Sequence, residues 1–219
     1  CSEQARDYLI AFSDLYFRQQ LSADDIVWTY SGVRPLYDDG AKSATAATRD
    51  YVLKVDDSGG APILNVFGGK ITTYRKLAED AFDKMRPYFP DAGAHWSAGV
   101  ALPGGDFPVD GVEAEIAALC ATYAFLDKPW AQRLIRAYGT DAGVMLGTAQ
   151  SIDDLGRDFG SGLYECELRW LMSREFALRA DDVAWRRSKL GLRMSAVQIA
   201  ALETWMTAQP APGQDDTGA

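Results

Sequence analysis

Ile63-Leu64-Asn65-Val66-Phe67-Gly68-Gly69-Lys70-Ile71-Thr72-Thr73-Tyr74 is the stretch on which the fold turns. The apolar run Ile63 to Phe67 reads as a buried strand. Two successive glycines then let the backbone turn sharply and approach a ligand closely. Thr72-Thr73 opens a helix, and from Tyr74 the apolar residues Tyr74, Leu77, Ala78, Ala81, Phe82, Met85, Tyr88 and Phe89 form the stripe of a helix with one buried face. A strand that turns through glycines into a helix aims free backbone N–H groups, and the positive end of the helix dipole, at an anion or an electron-rich oxygen. A nucleotide P-loop is excluded, because it would need glycine at 64 and Ser or Thr at 71, where this chain has Leu64 and Ile71. On residue types alone, an ordinary strand-turn-helix with a solvated lysine is an equal reading.

Composition narrows the partners. With 219 residues, 47% of them hydrophobic, the chain can bury a real core in one large or two small domains. A net charge of −9 argues against a polyanion-binding surface, so nucleic acid is not an expected partner. Three cysteines, at 1, 120 and 166, make an odd number without C-x-x-C spacing, which suits a reducing compartment and offers no metal framework. The single His95 lies in a polar, Gly-rich stretch and reads as a loop residue. No apolar run reaches transmembrane length, and the amino end has no signal pattern. Position 1 is Cys, and helical periodicity begins at once at Ala5, Tyr8, Leu9, Phe12, Leu15 and Tyr16, so the expectation is a piece of a longer protein.

Upstream of the organising turn, the first helix is expected to end near Gln20, and Ile26-Val27-Trp28-Thr29-Tyr30, rich in β-branched and aromatic residues, predicts a strand. That strand would deliver Arg34 past its carboxyl end, and Pro35 would hold Arg34 on a stiff, extended backbone suited to gripping a phosphate. Arg34 and Arg49 have an alternative by spacing, pairing with Asp38, Asp39 or Asp50. Tyr51 to Val55 and Pro62 to Phe67 predict a hairpin closed by Asp56-Asp57-Ser58-Gly59-Gly60.

Breakers between Pro90 and Pro108 place a domain boundary near residue 92. Beyond it the pattern is helical. One helix carries Val112, Ile116, Leu119 and Tyr123. Another starts at Pro129 and stops at Gly139. A short one is capped by Thr140, a longer one runs through Tyr164, Leu168, Leu171, Met172 and Phe176, and another spans about Asp181 to Leu190. Ser195-Ala196-Val197-Gln198 announces the last as a capping box. Residues 209–219 hold two prolines, two glycines and no large apolar residue, which predicts a disordered tail. Asp158-Phe159-Gly160 imitates a kinase triplet without its companion motifs. Arg186, Arg187, Lys189 and Arg193 form a basic cluster, read first as ion pairs with Glu165, Glu167 and Asp182, and otherwise as a docking surface for another subunit or anionic lipid.

The string Phe67-Gly68-Gly69-Lys70-Ile71-Thr72-Thr73-Tyr74-Arg75-Lys76 resembles a signature of the FAD-dependent glycerol-3-phosphate dehydrogenases. Three further stretches carry the same resemblance in the same order: Trp28 to Leu36, Ala47 to Tyr51, and Ala180 to Leu192, the last similar to the family's helical cap domain. Ile71 and Ala184 stand where leucine is expected, both mild apolar exchanges. The resemblance implies an α+β chain, in which 1–92 is the carboxy-terminal part of the FAD/substrate-binding domain, a small hairpin remnant, and 93–208 is an all-α carboxy-terminal domain. It implies that Gly68, Gly69, Lys70, Thr72 and Thr73 lie by the flavin, that Lys70 acts catalytically as a fixed positive charge, and that Arg34 and Arg49 bind the substrate phosphate.

The implied whole-protein reaction is oxidation of sn-glycerol 3-phosphate to dihydroxyacetone phosphate, with electrons passing to quinone. The implied setting is the cytoplasm, with peripheral contact to the cytoplasmic membrane, and a homodimer is compatible with it. The G-x-G-x-x-G of a dinucleotide fold does not occur in these residues, so the chain alone is expected neither to hold FAD nor to turn over. No metal site is expected. Two alternatives stay open: a related FAD-dependent amine or hydroxy-acid oxidase, and a non-catalytic helical module for oligomer contacts or membrane docking.

Overall fold

Tyr51–Asp56 (β1) pairs antiparallel with Ile63–Gly68 (β2) in a two-stranded sheet, with Tyr51 opposite Gly68 and Asp56 opposite Ile63. The turn between the strands is held by Asp56, whose carboxylate accepts both the N–H and the hydroxyl of Ser58. This computed structural model describes residues 1–33, 37 and 50–209. The chain divides into two units, residues 1–100 and 101–219.

In the first unit, helix α1 (Glu3–Asp14) is capped by Ser2, whose hydroxyl accepts the N–H of Ala5. It ends at Asp14 rather than near Gln20. The Asp14 carboxylate takes the N–H of Leu21 at 2.9 Å, so a side chain competes for the following backbone and folds it back. The strand expected at Ile26–Tyr30 does not form, and this stretch has no regular structure. β-propensity measures fit to a paired, half-covered surface. No strand pairs with this stretch among the described residues; Trp28 and Tyr30 instead stack their rings 5.2 Å apart. After β2, Ile71–Thr73 makes a 3₁₀ turn that leads into α2 (Tyr74–Met85), which packs on both strands and ends in a second 3₁₀ turn at Arg86–Tyr88. The apolar stripe of α2 is only half covered, and no described residue of this unit is fully buried.

Among the described residues, all fully buried apolar ones lie in the second unit. Its helices are α3 (Val112–Thr122), α4 (Lys128–Tyr138), α5 (Asp141–Leu146), α6 (Glu165–Arg174), a π-helix at Asp182–Arg187, and α7 (Ala196–Thr207). Ile116, Leu134, Leu163, Leu168, Leu171 and Leu202 close their core, each worth about 1.5–3 kcal/mol on full burial. The helix ends follow the caps. Asp127 accepts the N–H of Trp130 at the start of α4, and Ser195 and Gln198 form the reciprocal capping box of α7. Thr140 precedes α5 without a side-chain cap, and Phe176 falls outside α6 with a positive φ of 55°. The helix expected over 181–190 is π-wound, with the Ser188 N–H bonded to the Val183 carbonyl five residues back, and then breaks at Lys189.

One buried polar cluster locks α4 to α6. Arg133 grips Glu167 through two bonds of 2.6 and 2.7 Å, Tyr138 donates its hydroxyl to the same carboxylate at 2.7 Å, and Arg133 also donates to the Gly162 carbonyl. Glu167 is 2% exposed, so this charge is tolerable only because every oxygen is engaged. Burial pulls the Arg133 guanidinium down, but the Glu167 hydrogen bond and charge more than offset it and leave it raised. Burial and the neighbouring Glu167 charge push the Tyr138 phenol far above its ordinary range.

Candidate functional site

The site is the junction of β2 and α2. Gly68 and Gly69 have φ of 69° and 92°, a left-handed pair that bulkier residues adopt only under strain. The fold uses the space this frees. A Cβ at Gly69 would stand 3.2 Å from the Tyr51 Cβ and 3.5 Å from Leu77, because β1 and α2 both close on this point. Beyond the glycines, Lys70 is extended and exposed, and its carbonyl accepts the N–H and the hydroxyl of Thr73. The N–H groups of Lys70, Ile71 and Thr72 meet no backbone acceptor among the described residues, and Lys70 forms no ion pair among them. The turn therefore presents three backbone donors, one ammonium and the outward, 86% exposed Ile71.

Behind it, a charged network fixes α2 on the hairpin. Tyr51 donates its hydroxyl to Asp80 at 2.5 Å, and Lys76 holds the other oxygen of that carboxylate at 2.8 Å. The Lys76 and Tyr51 hydrogen bonds hold the Asp80 carboxyl below its usual range, and the bond to Asp80 raises the Tyr51 phenol. Arg75 and Ser97 both bond Glu79, at 2.7 and 2.8 Å. His95 sits in its loop 2.9 Å from Asp83, and that hydrogen bond depresses the Asp83 carboxyl. A cavity of about 620 Å³ opens between Tyr51, Val52, Leu53 and the Asp80, Asp83 and Lys84 side of α2.

Of the residues singled out in the sequence, Gly68, Gly69, Lys70, Thr72 and Thr73 meet in this one turn. Arg34 and Arg49 lie outside the described residues, as do residues 210–219. Tyr37 is described, and it tilts against Phe67 of β2 at 5.5 Å with the Lys54 ammonium 4.9 Å over its ring. The Tyr51–Asp80–Lys76 network escaped sequence reading, although Lys76 and Asp80 stand at the i, i+4 spacing that favours pairing. Among the described residues, Arg186 pairs with Asp182 as expected, whereas Glu165 takes Arg169 and Glu167 takes Arg133. Their own helix neighbour and the α4 arginine lie closer. Burial pushes the Cys166 thiol up to about 11, so it is a protonated thiol at neutral pH and not a nucleophile. Among the described residues, no group of His, Cys, Asp and Glu could hold a metal ion, and no helix is long and apolar enough to cross a membrane.

Residues 96–211 match the family described as the C-terminal domain of alpha-glycerophosphate oxidase, and the chain belongs to that family. Relatives extend the similarity across the organising turn. The chain is 46% identical to the aerobic glycerol-3-phosphate dehydrogenase of Escherichia coli (strain K12), over 93% of this chain and 41% of the relative. It is 43% identical to a glycerol-3-phosphate dehydrogenase of Pseudomonas aeruginosa, over 95% of this chain and 41% of that one. It is also 40% identical to the D-erythritol 1-phosphate dehydrogenase of Brucella abortus (strain 2308), over 93% and 40% respectively. The chain thus spans about two fifths of the length of these relatives.

Proposed function

We propose that this chain is the carboxy-terminal part of a flavin-dependent, quinone-linked glycerol-3-phosphate dehydrogenase, converting sn-glycerol 3-phosphate and quinone to dihydroxyacetone phosphate and quinol. The observation that carries the reading is the turn at Gly68–Thr73, whose donors without a backbone acceptor among the described residues, together with its lysine, suit an electron-rich ring edge, in a chain 46% identical to an aerobic glycerol-3-phosphate dehydrogenase. FAD, when bound, supplies the acceptor for the hydride leaving C2 of the substrate. The chain's own residues do the rest. The N–H groups of Lys70, Ile71 and Thr72 and the Lys70 ammonium hold negative charge against the turn without reorganising. The glycines keep side chains out of the approach. Arg34, and with it Arg49, grips the substrate phosphate through charge-assisted bonds.

The donor set fits one wall of a flavin site and no more, because the residues of this chain contain no pyrophosphate-binding G-x-G-x-x-G. Residues 1–219 alone are therefore inactive and flavin-free, and a flavin absorbance spectrum of the purified chain would overturn that. The protein works at the cytoplasmic face of the membrane through a peripheral contact, with quinone as its second partner, and a homodimer suits that arrangement.

The test is made on the protein joined to its flavin-binding region, by following substrate-dependent reduction of a quinone-like dye. Arg34→Ala is expected to abolish turnover while flavin stays bound. The 40% identity to a D-erythritol 1-phosphate dehydrogenase favours one second reading, a longer polyol phosphate as substrate. Turnover on that substrate and not on glycerol 3-phosphate would select it. Turnover on an unphosphorylated amine or hydroxy acid would sink both.

A further inference from the structure

Gly68 and Gly69 carry the chain from β2 toward α2 with little stiffness of their own, because glycine has the widest choice of backbone conformation. Something beside them must therefore fix the direction in which the donors of Lys70, Ile71 and Thr72 point. The hairpin ladder stops short of those residues: its last pair is Tyr51 opposite Gly68. From there on the restraint comes from side chains.

Tyr51 is placed to supply it. A Cβ on Gly69 would meet the Tyr51 Cβ at 3.2 Å and its ring atom Cδ1 at 3.7 Å, so this side chain stands directly behind the second glycine. Leu77 of α2 closes on the same point at 3.5 Å. Three residues further along that helix, and so on the same face as Leu77, Asp80 accepts the Tyr51 hydroxyl at 2.5 Å. One side chain thus spans the last rung of the sheet, the glycine pair and the first two turns of α2. The acceptor is itself anchored, because Lys76 holds the other Asp80 oxygen at 2.8 Å. A bond to an ionised carboxylate is also stronger than one between neutral groups.

A second tyrosine ties the helix to the hairpin at the opposite end. Tyr88, in the 3₁₀ turn after α2, donates its hydroxyl to Asp57 in the hairpin loop at 3.0 Å. The two ties share their chemistry, and in each the hydrogen bond to the carboxylate raises the phenol. They differ in place: Tyr51 lies against the turn, and Tyr88 at the far end of helix and hairpin alike. Place alone separates a tie that steers the turn from one that only holds helix to hairpin.

We propose that Tyr51 is a positioning residue for this turn: its ring backs Gly69, and its hydroxyl, anchored on Asp80, sets the angle between β2 and α2 and so the aim of the three donors and the Lys70 ammonium. The role rests on the flavin reading of the turn. Tyr51 takes no part in the chemistry and acts only through the backbone it holds. Donors that stay aimed at an electron-rich ring favour its uptake of electrons, so their aim is readable as a potential.

The test compares Tyr51→Phe with Tyr88→Phe in the protein joined to its flavin-binding region. Each change removes one hydroxyl, keeps the ring and leaves the charge unchanged, so a shift in flavin potential cannot come from a lost charge. Tyr51→Phe is expected to lower the flavin midpoint potential and to cut kcat about tenfold with KM unchanged, since small misplacements of catalytic groups are costly. Tyr88→Phe is expected to match the parent in potential and kcat, whatever it loses in melting temperature. Asp80→Ala breaks the Tyr51 bond from the other side and is expected to reproduce the kcat loss, so it decides the matter should Tyr51→Phe fail to load flavin. In residues 1–219 without flavin, amide exchange from Thr73 to Leu77 should quicken in Tyr51→Phe and not in Tyr88→Phe. Equal exchange there refutes the geometry. A joined parent protein that binds no flavin refutes the flavin reading and this role with it. Flavin-loaded variants with the parent's potential and kcat refute the role alone.

Discussion

Tyr138 shows how much of the second unit rests on single atoms. Its hydroxyl gives Glu167 a third hydrogen bond, and replacing it by phenylalanine leaves one buried carboxylate oxygen with a single partner. Tyr138→Phe is expected to lower unfolding free energy by about 1–2 kcal/mol, read from urea denaturation at pH 8. The pH dependence follows from the raised phenol. Its folded-state value lies above the unfolded value of 10.0, so its stabilisation is fully present below pH 10 and is lost as pH rises above it. The parent chain should lose stability between pH 9 and 11 more steeply than the variant, and parallel slopes would show that Tyr138 does not titrate with folding. Nothing local in the sequence marks this cluster. Arg133 and Glu167 stand 34 residues apart, and neither lies in a motif. The turn at Gly68–Thr73, by contrast, was legible as a turn because its glycines, lysine and threonines are contiguous.

Elements were readable where one local rule decides them. The hairpin followed from its turn residues, α4 from Pro129 and Gly139, and α7 from its capping box. Ser195→Ala is expected to cost about 1 kcal/mol in thermal or urea melts, since the hydroxyl accepts the Gln198 N–H. An unchanged midpoint would mean that the packing of Leu202 and Met206 alone holds that helix. At the strand-helix turn, Gly69→Ala should cost about 1–2 kcal/mol for the left-handed backbone, with added crowding against Tyr51. Gly59→Ala serves as the comparison, because a Cβ there meets nothing within 4 Å and is expected to be neutral. Equal melting shifts in the two would discredit the turn geometry. The reading failed where the deciding partner is remote. The Ile26–Tyr30 stretch has strand-forming residues and no strand beside it. The π-helix has the composition of an ordinary helix, and its i to i−5 bonding leaves no mark in a 3.6-residue period.

Across the whole molecule, burial is unequal. The second unit fully buries Leu134, Leu155, Leu163, Leu168, Leu171 and Leu202, while the first leaves Leu9, Leu15, Tyr16, Phe17, Ile63 and Ile71 more than half exposed. Sequence periodicity revealed which faces are apolar but not that so many would lie uncovered, because the pattern for a buried face and for one awaiting a cover is the same. Residues 101–209 expressed alone are expected to melt in one cooperative transition, and residues 1–100 alone to show none by calorimetry. A sharp transition from 1–100 would mean that the half-covered hairpin and α2 suffice as a folding unit.

That inequality also sets a clock. Backbone amides of α3, α4, α6 and α7 can reach solvent only when the enclosed core opens, whereas those of α1 and the hairpin need only local fraying. Hydrogen–deuterium exchange should separate into two populations, one complete within minutes and one persisting far longer. A protease added to the native chain would find its first cuts in the first hundred residues and leave a helical remnant behind.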